Sequence, residues 1–135
     1  MIIKSFELDK LNSYDFNLHL IYGNNEGIKE DIINNKYLKD FSGEVLKYEE
    51  QELLNSKDEF ISSLLTKSLF ETNKLIIVSR CSDKLSNLLA EILENEITET
   101  KIIIKSSNLE KKSKLRNLFE KEKKAVCTPV YEDDS

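Results

Sequence analysis

The sequence predicts an α/β fold with a parallel sheet, and two observations carry that reading. Strand-like apolar runs alternate along the chain with amphipathic helical patterns, which is the order of βαβ units joined by right-handed crossovers. Three of the runs, HLIY, LIIV and KIIIK, are continuous rather than alternating. Continuous apolar runs fit strands covered on both faces, as in a parallel sheet. The 135 residues suffice for one domain around one core, so the expected organisation is a single domain over residues 1–135.

Five strands are expected, at Leu18–Tyr22, Glu44–Tyr48, Lys74–Ser79, Lys101–Lys105 and Ala125–Val130. Pro129 cannot donate a ladder hydrogen bond, so its strand is expected at a sheet edge or to end there. Helical faces lie between the strands. Ile28, Ile32, Ile33 and Tyr37 share one. Ser56 to Glu59 reads as a capping box that opens a helix with Phe60, Ile61, Leu64 and Leu65 inward. Leu85, Leu88, Leu89, Ile92 and Leu93 form a third face, and Leu115, Leu118 and Phe119 a fourth.

Composition removes several function classes. A net charge of −5 argues against a surface that coats nucleic acid or anionic membrane throughout. No apolar run reaches the length of a membrane span, and the charges in MIIKSFELDK come too early for a signal peptide, so a cytoplasmic location is expected. His19 is the only histidine, and Cys81 and Cys127 form no CxxC, so no metal site is expected. His19, inside an apolar run, reads as a packed histidine rather than a general base. Cys81 and Cys127 read as buried thiols in a reducing compartment, Cys81 staying inert even where its strand end leaves it partly exposed, and Asp83, Glu91 and Glu94 read as solubilising charge.

The stretch LIYGNNEGIKEDII has the layout of a phosphate-binding loop: apolar strand, glycine, polar loop, amphipathic helix. A working loop reads GxxxxGK[ST]. Gly23 supplies the first glycine and Lys29 the lysine. Ile28 stands at the second glycine position, with Gly27 one residue early, and Glu30 replaces the hydroxyl that helps hold magnesium. Glu26 and Asp31 add negative charge to the same turn, which suits an empty helix N-terminus. The acidic strand end that polarises water is missing too, because LIIVSR closes in Ser79 and Arg80. The loop therefore reads as a degenerate phosphate loop, with no nucleotide or other cofactor expected.

Three segments carry a resemblance. LIYGNNEGIKED, SLFETNKLIIVSR and LEKKSKLRNLFEKEKKAVCTPVYEDD, in this order, resemble the N-terminal domain of the bacterial DNA polymerase III delta subunit family. The resemblance covers essentially the whole chain. It implies a three-layer P-loop NTPase-like domain of the AAA+ (RecA) type, with a five-stranded parallel sheet flanked by helices. It implies a clamp-loader subunit that binds no ATP of its own, has no catalytic activity, and grips and opens the ring-shaped sliding clamp (the beta subunit). Other clamp-loader subunits and, through the complex, primed DNA are the further partners implied. A lid and a collar domain would follow in a longer chain, so residues 1–135 look like an excised N-terminal domain.

The clamp contact implied is a hydrophobic pair in a Ser-Leu-Phe segment, here Ser68, Leu69 and Phe70. Continued at about 100° per residue, the helix from Ser56 would carry Phe70 roughly 150°, and Leu69 roughly 110°, from the centre of its inward face. An apolar pair turned outward calls for a partner surface. Two other functions stay open on the residues alone. One is a divergent P-loop ATPase or nucleotide kinase using Lys29. The other is a nucleic-acid-binding domain using the basic last helix, with Lys111, Lys112, Lys114, Arg116, Lys121, Lys123 and Lys124. Glu110, Glu120 and Glu122 are interleaved there, which favours a solvated face with i,i+4 pairs.

Overall fold

The computed structural model describes residues 1–10, 17–65, 73–95 and 100–131. Its centre is a five-stranded, all-parallel sheet of β1 (Leu18–Tyr22), β2 (Glu44–Glu49), β3 (Lys74–Cys81), β4 (Thr100–Ser106) and β5 (Ala125–Pro129). The spatial order is β2-β3-β4-β1-β5. The expected α/β fold and strand count therefore stand, consistent with a P-loop-like three-layer domain. β5 is an edge strand, where Pro129 leaves no central ladder bond unmade.

The order fixes the layers. The connection from β1 to β2 runs one way across the sheet, and the later connections run back. Right-handed crossovers in opposite directions cover opposite faces. Accordingly α1 (Glu26–Ile32) and the π-helical turn Ile33–Leu38 pack on one face, with the 3-10 segment Ser5–Lys10 beside them. There Ile32, Ile33, Tyr37 and Leu8 meet Ile21, Ile77, Ile103 and Val126. On the other face lie α2 (Glu50–Asn55), α3 (Lys57–Leu65), α4 (Ser86–Glu94) and α5 (Lys114–Lys121). Leu53, Phe60, Leu88, Leu89, Leu115 and Phe119 cover Leu20, Val78, Ile102 and Ile104. Each such fully buried side chain stabilises the fold by about 1.5–3 kcal/mol.

A helix opens directly after Ser56, as α3 from Lys57, with Phe60 N–H donating to Ser56 O at 2.9 Å. A reciprocal capping box stands one helix earlier, between Glu49 and Glu52 of α2, which Ser56 closes by donating its N–H to Leu53 O at 3.2 Å. Other expectations are corrected. Leu65 is 48% exposed rather than inward. It sits about 90° from the mean direction of Phe60, Ile61 and Leu64 on a 100° wheel, at the flank of the buried stripe. Cys81 and Cys127 are buried thiols, as expected, and Cys81 is not left partly open at the strand end, where its Sγ lies 3.4 Å from Val78 O. Asp83 is not a free surface charge, because its carboxylate accepts from Ser113 Oγ at 2.5 Å and Leu115 N–H at 3.1 Å. Those two bonds hold its carboxyl below the usual range.

Candidate functional site

β1 and β4 are neighbours whose outgoing connections leave over opposite faces. That makes a topological switch point, and in open parallel sheets ligands bind in the crevice at the strand carboxyl ends there. The degenerate phosphate loop leaves β1 at this place. Its geometry answers what the loop does.

Gly23 has φ +129, and a Cβ built on it would stand 1.8 Å from Val130 O. Glycine is required twice over, by the backbone angle and by the crossing chain. Gly27 has no such need, since a Cβ there would meet only Asn25 Oδ1 at 3.6 Å. Asn25 caps α1 by accepting from Ile28 N–H at 3.1 Å. Several N–H groups of the loop are already occupied. Gly23 donates to Ser107 O, Asn25 to Val130 O and Lys29 to Asn25 O.

Lys29 is 2% exposed. Its ammonium donates to Gly23 O and Ser106 O, both at 2.9 Å, and pairs with Glu26 at 2.6 Å. An ammonium has three donors, and three acceptors are present. The lysine thus fills the crevice itself, tying the end of β1 to the end of β4. Ile28 packs against the α1-side core, and Glu30 is ion-paired to Lys105. Glu30 thus answers a neighbouring lysine, where a working loop would place a hydroxyl on magnesium.

The end of β3 is equally changed. Pairing with β4 shifts register between Val78 and Cys81, and Arg80 adopts φ 57. A left-handed arginine marks a bulge, at a cost of roughly 1–2 kcal/mol. Arg80 lies 3.8 Å from Glu49, an exposed pair of little energetic weight. The chain then turns at Ser82, whose N–H and hydroxyl bind the buried Glu50 at 2.6 Å and 2.9 Å. Ser106 Oγ closes the far side of this corner by donating to Cys81 O at 2.7 Å. The roles of Glu50 and Ser106 were missed in the sequence, since their partners lie 32 and 25 residues away.

His19 is fully buried. Its Nδ1 bonds the Tyr37 hydroxyl and its Nε2 the Thr128 hydroxyl, the latter at 2.7 Å. Burial lowers its pKa to about 3, with help from the positive charges of Lys36 and Lys101. It is a packed neutral histidine, as the sequence implied. Burial also raises both thiols, Cys127 to about 11, which keeps them protonated and unreactive at neutral pH.

In the basic last helix, Arg116 lies over the Tyr22 ring at 5.3 Å. It bonds Glu120 at 2.9 Å and Leu109 O at 3.1 Å. Its charge is therefore internal. The helix covers only Lys114–Lys121, so of the expected basic helix Lys111 and Lys112 precede it and Lys123 and Lys124 follow it in turns; these four, with Lys114 and Lys121, are exposed. Ser68, Leu69 and Phe70 lie outside the described residues. Among the described residues no group of His, Cys, Asp or Glu is arranged to hold a metal ion, and no helix is long and apolar enough to cross a membrane.

No curated relative matches the chain. The family model described as "DNA polymerase III, delta subunit" matches residues 19–128, a span that runs from His19 in β1 to its partner Thr128 in β5 and so takes in every strand of the sheet. The chain belongs to the family of the DNA polymerase III delta subunit, a component of the clamp loader in DNA replication.

Proposed function

We propose that this domain binds the sliding clamp and opens it during replication, without binding ATP itself. Family membership over residues 19–128 carries the reading, because that span includes Ser68, Leu69 and Phe70. In this reading Leu69 and Phe70 enter an apolar pocket on the clamp, with a polar rim around them. The domain acts as the N-terminal part of a longer cytoplasmic subunit, with lid and collar domains following. Its other partners are the remaining clamp-loader subunits and, through them, primed DNA.

The filled crevice supports the second half of the proposal. A phosphate group would have to displace the Lys29 ammonium from Gly23 O and Ser106 O, and it would meet Glu26 and Glu30. This argues against an ATPase or kinase working through Lys29. The test combines two measurements. Leu69→Ala with Phe70→Ala is expected to abolish capture by the cognate clamp while circular dichroism stays unchanged. Calorimetry of the unaltered domain with Mg-ATP is expected to be flat. Full clamp capture by the folded double variant would overturn the assignment of the pair. An ATP isotherm lost in Lys29→Ala would restore the enzyme reading.

A further inference from the structure

The polypeptide leaves β5 across the mouth of the Gly23 loop. Val130 N–H donates to Tyr22 O at 2.7 Å. Val130 O accepts from Asn25 N–H at 3.4 Å, and Tyr131 O accepts from Asn25 Nδ2 at 3.2 Å. The side chains of Tyr22 and Tyr131 are hydrogen-bonded to each other. Gly23 has no Cβ, and the carbonyl of Val130 occupies the place a Cβ would need.

Every one of these contacts is of the kind that recognises extended peptide: main-chain donors and acceptors on consecutive residues, plus one side-chain grip. Asn25 does two jobs at once. Its Oδ1 caps α1 and its Nδ2 holds the exit strand. We infer that the loop Tyr22–Asn25 is a peptide-binding clamp whose ligand is the chain's own Val130–Tyr131 backbone. The loop keeps the outline of a phosphate cradle and has exchanged its ligand for main chain. This inference does not rest on sliding-clamp binding and stands or falls separately from it.

Asn25→Asp separates the two jobs. Aspartate still accepts from Ile28 N–H as a helix cap, but it offers a carboxylate oxygen to Tyr131 O where a donor stood. Tyr22→Phe removes the tyrosine–tyrosine hydrogen bond and keeps the ring under Arg116. The readouts are chymotrypsin cleavage after Tyr131 and amide exchange at Val130, with the core amide of Ile103 as reference. Losing one neutral hydrogen bond predicts cleavage and Val130 exchange about five-fold faster in each variant, with Ile103 exchange unchanged. Unchanged cleavage and Val130 exchange in both variants would overturn the inference. So would an equal acceleration at Ile103, which would mean general loosening rather than release of an anchored segment.

Discussion

The Lys29 ammonium lies 2.9 Å from the carbonyl oxygen of Ser106, 77 residues away, and so fastens α1 to the end of the strand beside β1. A lysine poised for phosphate would be free to move. This one is part of the framework, and its replacement separates the two roles.

Lys29→Met keeps the apolar stem and removes the charge. It leaves the carbonyls of Gly23 and Ser106, two buried residues, without that partner. An unsatisfied buried acceptor costs about 1–3 kcal/mol, and hydrogen bonds to a charged group are at the strong end. The expected loss is about 2–4 kcal/mol of unfolding free energy in a urea titration. Unaltered stability would show that the ammonium contributes nothing to the fold.

His19 makes stability depend on pH in a window where the other side chains are quiet. Its folded pKa of about 3 lies below the ordinary 6.5, so the unfolded chain takes up the proton first. The contribution is complete above pH 6.5 and is lost as pH falls toward 3. Between pH 7 and pH 5 the loss is about 2 kcal/mol. Because the chain has a single histidine, His19→Gln should flatten the stability profile over that interval. A slope that survives the substitution would assign it to other groups.

Asp83 joins two elements, since it sits in the short 3-10 segment Asp83–Leu85 and caps the start of α5. Asp83→Ala removes both acceptor bonds and is expected to destabilise the domain by about 1–2 kcal/mol, the usual weight of a helix cap. Asp83→Asn keeps an acceptor and should lose about half as much. The carboxyl is held below its ordinary value, so its contribution is present above the ordinary range and declines as pH falls through the folded pKa. Thermal melts of the two variants at neutral pH check the order of the effects.

How much of this was legible in the sequence depends on how local each signal is. The strands HLIY, LIIV and KIIIK announce themselves because burial on both faces leaves no polar position in the run. Pro129 placed its strand at an edge through one missing donor. α2 escaped notice because it is six residues long and offers only Leu53 and Leu54 as apolar pattern. Ser56 marks the start of α3 by its cap chemistry, while the capping box of α2 rests on a glutamate, Glu49, which is not a favoured cap residue. Glu30 and Ile28 argue against a phosphate in the loop by residue type alone. That Lys29 would itself fill the space was not legible, because Ser106 lies far along the chain and only the sheet order brings it near. Asp83 looked like surface charge for the same reason: its partners Ser113 and Leu115 are 30 and 32 residues away.

The sheet order has a consequence for synthesis on the ribosome. β1 is the first strand made, yet both its neighbours, β4 and β5, come last. Its edges stay unpaired until about 100 further residues have been translated, a wait of roughly 5–20 s at ordinary elongation rates. Through that time HLIY is an exposed apolar strand, the kind of segment that nascent-chain chaperones hold. Nucleation among β2, β3 and β4, which follow one another closely, is then the expected first step, with β1 inserted between β4 and β5 as the closing event.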